Sequence, residues 1–130
     1  MNNKYILVVD DDPSLRELFQ IIVESFGFIS ETADNGGQAL TMFVLKTYDA
    51  VLLDYMLPDM NGLTVLQHIK QVDRSIPVVI LTGHTDEQVA ERAIAMGARA
   101  CLYKPFDYQD LEKILKDLLR TSMPEHVALP

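Results

Sequence analysis

The sequence predicts an α/β domain of three layers, with helices on both faces of an open five-stranded parallel sheet. Two observations carry that reading. Five short apolar runs recur along the chain, each followed by a polar loop and then by a segment with helical spacing. The runs are mostly continuous rather than alternating, which suits strands covered on both faces by the helices between them. Right-handed crossovers then make an α/β/α sandwich.

The first run is Tyr5-Ile-Leu-Val-Val9, followed by Asp10, Asp11, Asp12 and Pro13. Leu15, Leu18, Phe19, Ile22 and Phe26 mark the first helix; Asp12 is its cap, Pro13 lies in its first turn and Gly27 is its stop. Phe28 and Ile29 with Thr32 form the second strand, and Ala39, Leu40, Phe43 and Val44 the second helix. The third strand is Ala50-Val-Leu-Leu53, ending at Asp54, with Leu63, Leu66 and Ile69 on the helix after it. Val78-Val-Ile-Leu81 is the fourth strand, ending at Thr82; Val89, Ala90, Ala93 and Ile94 form a helix stopped by Gly97. Ala100-Cys-Leu-Tyr103 is the fifth strand, before Lys104 and Pro105. Leu111, Ile114, Leu115, Leu118 and Leu119 build the last helix, started near Asp107.

The 130 residues are expected to form one domain over 1–121, with 122–130, where the pattern stops and two prolines occur, as a tail or the start of a linker. Eleven Lys and Arg stand against 19 Asp and Glu, a formal charge of −8. That balance argues against direct nucleic-acid contact and against an acidic membrane surface. Only five apolar residues precede the aspartates, so neither a secretion signal nor a membrane span is expected, and the compartment is read as cytoplasmic. Cys101, the single cysteine, is read as a small buried hydrophobe.

In such a fold, chemistry sits at the carboxyl ends of the strands. Asp10, Asp11 and Asp12 follow the first strand, Asp54 ends the third, Thr82 ends the fourth and Lys104 follows the fifth. Like charges about 4 Å apart repel by roughly 4 kcal/mol at an effective dielectric near 20, so clustered carboxylates need a positive occupant. All the candidate ligands are oxygens, and the three histidines, His68, His84 and His126, are scattered, so Mg²⁺ or Mn²⁺ is favoured over Zn²⁺. A metal ion, Lys104 and the Thr82 hydroxyl would hold a phosphoryl group while Asp54 serves as nucleophile. Asp12 is better explained as a cap than as a ligand. Pro58-Asp59 and Asn61-Gly62 read as turn chemistry, with Gly62 supplying backbone freedom.

Five segments, Ile6-Leu-Val-Val-Asp10-Asp11-Asp12-Pro13, Val51-Leu-Leu-Asp54-Tyr-Met-Leu-Pro58-Asp59-Met-Asn61-Gly62, Val79-Ile-Leu-Thr82-Gly83-His84, Gly97-Ala98 and Lys104-Pro105-Phe106, stand in order over residues 4–120. Together they resemble the receiver domains of two-component response regulators. The resemblance implies a flavodoxin-like receiver fold with strand order 2-1-3-4-5. It implies that Asp54 takes a phosphoryl group from the phosphohistidine of a sensor histidine kinase or phosphotransfer protein. Asp11, Asp54 and the Met56 backbone carbonyl would bind Mg²⁺ directly, and Asp10 mostly through water. Lys104 would contact the phosphoryl group, Thr82 would move inward to bond it, and the Lys104-Pro105 peptide would be cis. The chain would catalyse its own phosphorylation and dephosphorylation without being a conventional enzyme. The modified form would alter the surface of the fourth helix, fifth strand and fifth helix to control a downstream protein or output domain.

Two departures from the family pattern stand out. Cys101 occupies the usual aromatic switch position, with Tyr103 just before Lys104. Met56 and His84 fall where the family tunes phosphoryl lifetime; Met56 offers no base. A non-phosphorylated interaction module is therefore the alternative. An aspartyl-phosphate phosphohydrolase is weaker, because it wants a second carboxylate where Met56 stands, and a nucleotide-binding domain lacks its glycine-rich loop. The mixed charges Glu87, Glu91 and Arg92, and Glu112, Lys113, Lys116 and Asp117, are read as solvated helix, with a homodimer contact as their other use.

Overall fold

The computed structural model describes residues 4–83, 87–105 and 107–121. His84, Phe106 and the expected tail 122–130 lie outside the described residues, as do the side chains of Glu87 and Leu119. Strands and helices alternate throughout: β1 (Tyr5–Val9), α1 (Pro13–Ser25), β2 (Ile29–Ala33), α2 (Gly36–Leu45), β3 (Ala50–Asp54), α3 (Gly62–Val72), β4 (Val78–Thr82), α4 (Glu87–Ala95), β5 (Ala100–Tyr103) and α5 (Tyr108–Thr121). The sheet is wholly parallel in the order β2-β1-β3-β4-β5, as the resemblance implied.

Side chains alternate across the strands into two cores. Ile6, Val8, Leu52 and Leu81 pack with Phe19 of α1 and Leu111 and Leu115 of α5. Leu7, Val9, Leu53 and Ile80 pack with Phe43 of α2, Leu66 and Ile69 of α3 and Ala93 of α4. β3 and β4 are buried along their whole length, which is why they read as unbroken apolar runs. The edge strand β2 carries half-exposed Glu31 and Thr32 and begins at Ile29; Phe28 precedes it and is buried against the α1 side. Three residues counted in the helical periodicity, Leu18, Val44 and Ile94, are exposed instead, because they flank the buried stripe.

The helix boundaries follow local chemistry. Asp12 caps α1, accepting from Ser14 N–H and Leu15 N–H at 2.9 and 3.4 Å, with Pro13 in the first turn. Asn35 and Asn61 cap α2 and α3. Gly27 and Gly97 end α1 and α4 at φ of 89° and 105°, the left-handed geometry that favours glycine at a helix stop. Asp107 accepts from Asp110 N–H at 2.8 Å at the start of α5. This layout brings the carboxyl ends of β1, β3, β4 and β5 side by side.

Candidate functional site

Register places the acidic residues together. Val9 of β1 pairs with Leu53 of β3, so Asp10 and Asp54 emerge from adjacent strand ends. Both are buried, whereas Asp11 is exposed at the mouth. Carboxylate oxygens of Asp10, Asp11 and Asp54 all lie within 4.8 Å of one another. Lys104, delivered by β5 and followed by a cis peptide to Pro105, turns inward. Its Nζ donates to Asp54 Oδ2 at 3.1 Å and stands 3.5 Å from Asp10 Oδ2. A cleft of about 430 Å³ is lined by these four side chains with Asp12, Leu15, Met56 and Gly83.

The backbone around Asp54 is closely held. Tyr55 N–H donates to Leu81 O at 2.8 Å, Met56 N–H to Asp54 Oδ1 at 3.2 Å, and Gly62 N–H to Tyr55 O at 2.6 Å. The expectation that Gly62 supplies conformational freedom is corrected, since its φ is not positive. Its requirement is space: a Cβ there would lie 2.5 Å from Asp54 O and 2.9 Å from Tyr55 Cα. Asp59 is likewise more than a turn residue, because its carboxylate accepts from Gly36 N–H and Gly37 N–H at 2.8 Å each. Arg16, which the sequence did not single out, donates to Asp10 O at 2.8 Å and braces the first loop.

The electrostatics call for a cation. Burial, reinforced by the neighbouring Asp54 charge, pushes the Asp10 carboxyl above the usual range despite Asp12 N–H and Lys104. Among the described residues, Asp10 Oδ2 is buried with no hydrogen-bond partner. Among the described residues three carboxylates face a single ammonium, so an all-oxygen site with negative charge to spare fits Mg²⁺ or Mn²⁺. Thr82 is fully buried beside the cleft but is not among its lining residues; its backbone carbonyl accepts from Lys104 N–H at 2.6 Å. Cys101 is half-buried against the α3 and α4 side, and burial raises its thiol.

The family model described as the response regulator receiver domain matches residues 6–116. The chain belongs to that family. Among curated relatives, a transcriptional regulatory protein CpxR homolog of Haemophilus influenzae is 39% identical over 117 residues, 90% of this chain and 51% of the relative. The receiver domain thus spans about half the length of that relative, and 28% of an Escherichia coli NtrC. Among solved structures, a response regulator receiver domain protein from Methanospirillum hungatei is 29% identical at a TM-score of 0.86, covering 93% of this receiver and 98% of that chain. The response regulator TrrA of Thermotoga maritima, crystallised in complex with Mg²⁺-BeF, is 33% identical at a TM-score of 0.80, covering 88% and 98%. No helix among the described residues is long and apolar enough to cross a membrane.

Proposed function

We propose that this receiver is a phosphorylation-controlled switch in which Asp54 takes a phosphoryl group from the phosphohistidine of a sensor histidine kinase or phosphotransfer protein. The observation that carries this reading is the convergence of Asp10, Asp11, Asp54 and Lys104 on one cleft. An Asp54 carboxylate oxygen forms the new O–P bond as the donor's N–P bond breaks, leaving an acyl phosphate and an imidazole that takes up a proton. Lys104, already on Asp54 Oδ2, offsets charge on the phosphoryl oxygens. Asp11, Asp54 and the Met56 carbonyl would hold Mg²⁺, with Asp10 acting through water, and the ion would supply the remaining positive charge. The complex of TrrA with Mg²⁺-BeF supports Mg²⁺ as the ion.

Thr82 is proposed to move inward toward the cleft and donate its hydroxyl to the phosphoryl group, shifting α4, β5 and α5 toward a second conformation. That surface would control a downstream protein or an output domain, in keeping with relatives that are about twice as long or more. The receiver itself, at a charge of −8, is proposed to act in the cytoplasm without touching nucleic acid. Mass spectrometry after treatment with Mg²⁺ and acetyl phosphate tests the acceptor. One phosphoryl adduct is expected, absent when Mg²⁺ is withheld and absent in Asp54→Asn. An unmodified wild-type chain would favour the interaction-module reading.

A further inference from the structure

Asp59 is exposed, yet both of its carboxylate oxygens are engaged. Oδ1 accepts from Gly36 N–H and Oδ2 from Gly37 N–H, the first two residues of α2. Those N–H groups hold the Asp59 carboxyl below the usual carboxylate range, as a helix start does for an anion. Beside this contact Met60 fills the space over Gly36, where a Cβ would lie 2.6 Å from Met60 Cγ and 2.8 Å from its Sδ. The Gly36-Gly37 pair therefore opens the first turn of α2 to the loop between β3 and α3. The near end of that loop is part of the site. Met56 N–H donates to Asp54 Oδ1, and Met56 bridges to Asn61, which caps α3.

We propose that Asp59 is a positioning residue for the cation pocket: by clasping the start of α2, with Met60 lodged on Gly36, it fixes the 56–61 loop and thereby the Met56 backbone beside Asp54. This rests on the proposed Mg²⁺ site, to which the Met56 carbonyl contributes. It also gives α2, which supplies no residue to the cleft, a hold on the acceptor.

Calorimetric titration of Mg²⁺ into the metal-free chain tests this, alongside the amide NMR resonance of Met56. Asp59→Ala is expected to bind Mg²⁺ about 10-fold more weakly, the usual scale for losing an outer-shell support. The Met56 resonance is expected to shift before any metal is added. Asp59→Asn, which keeps one acceptor oxygen, should fall between. Asp73→Ala removes another loop carboxylate, one that accepts from Ser75 N–H at 2.9 Å outside the cleft, and should leave both readouts unchanged. If Asp59→Ala and Asp59→Asn bind Mg²⁺ as the wild type does, the positioning role is wrong while the cation site stands. A wild-type chain that fails to bind Mg²⁺ removes the cation site and this role with it.

Discussion

Lys104 Nζ stands between two buried carboxylates, 3.1 Å from Asp54 Oδ2 and 3.5 Å from Asp10 Oδ2. One ammonium thus offsets part of a charge that the fold concentrates at the ends of β1 and β3. A side chain in that position is both a structural counter-ion and a competitor of any cation entering the cleft.

Lys104→Ala should therefore separate stability from metal affinity. Removing one partner of a fully buried pair costs roughly 3–5 kcal/mol. Lys104 is 24% exposed, so solvent screening reduces the expected loss to about 1–3 kcal/mol in metal-free urea unfolding. Mg²⁺ should bind the variant more tightly than the wild type and restore most of that loss. Weaker Mg²⁺ binding in the variant would count against the electrostatic account.

Asp10 gives a pH signature of defined sign. Its folded carboxyl titrates above the unfolded one, so between the two values the native state holds more protons. This group's contribution to stability is therefore lost as pH rises through that window, in the absence of metal. Asp10→Asn removes the charge, and its amide can donate to neighbouring Asp54. The variant should be more stable than the metal-free wild type by about 1–3 kcal/mol near neutrality, the scale of one uncompensated buried polar group. The advantage should shrink as pH falls toward 4. Urea unfolding of both proteins across that range is the measurement, and an advantage independent of pH would refute the assignment to Asp10.

The alternation of elements was legible because β1, β3 and β4 are covered on both faces and cannot be mistaken for amphipathic segments. β2 was less clear, since an edge strand tolerates Ser30, Glu31 and Thr32 and loses the continuous apolar signal. The site was legible where chemistry is local to a strand end, as for Asp10, Asp54 and Lys104. It was not legible where a side chain works across the fold. Asp59 finds its donors 22 and 23 positions upstream, and nothing in the residues around Asp59 itself distinguishes that contact from a turn. Gly36 and Gly37 were the available signal, because two glycines at the start of a helix ask what approaches them closely.

Gly62→Ala tests how tightly the Asp54 backbone is packed. The added Cβ would meet Asp54 O at 2.5 Å and Tyr55 Cα at 2.9 Å, both backbone atoms that cannot rotate away. Overpacking of this kind costs about 1–3 kcal/mol, and relief requires moving the peptide that carries Asp54. A lower melting temperature with slower phosphoryl labelling is the expected pair of results. Unchanged labelling at a temperature where the variant remains folded would mean that the Asp54 peptide had not moved.

Asp11 offers the cleanest separation of metal binding from folding. Its side chain is exposed, and exposed substitutions outside special geometries stay within about 0.5 kcal/mol. Asp11→Asn should thus equal or slightly exceed the metal-free wild type in urea unfolding, because it also relieves the repulsion of Asp10 and Asp54. Ligand that binds only the native state stabilises it by about 2.7 kcal/mol at a hundred times its dissociation constant. Wild-type melting temperature should climb with Mg²⁺ concentration accordingly, and more at pH 7 than at pH 5, because the ion requires ionised carboxylates and Asp10 gives up its proton late. Asp11→Asn should lose most of that climb at both pH values. A variant that still responded to Mg²⁺ like the wild type would place the ion elsewhere than among Asp10, Asp11 and Asp54.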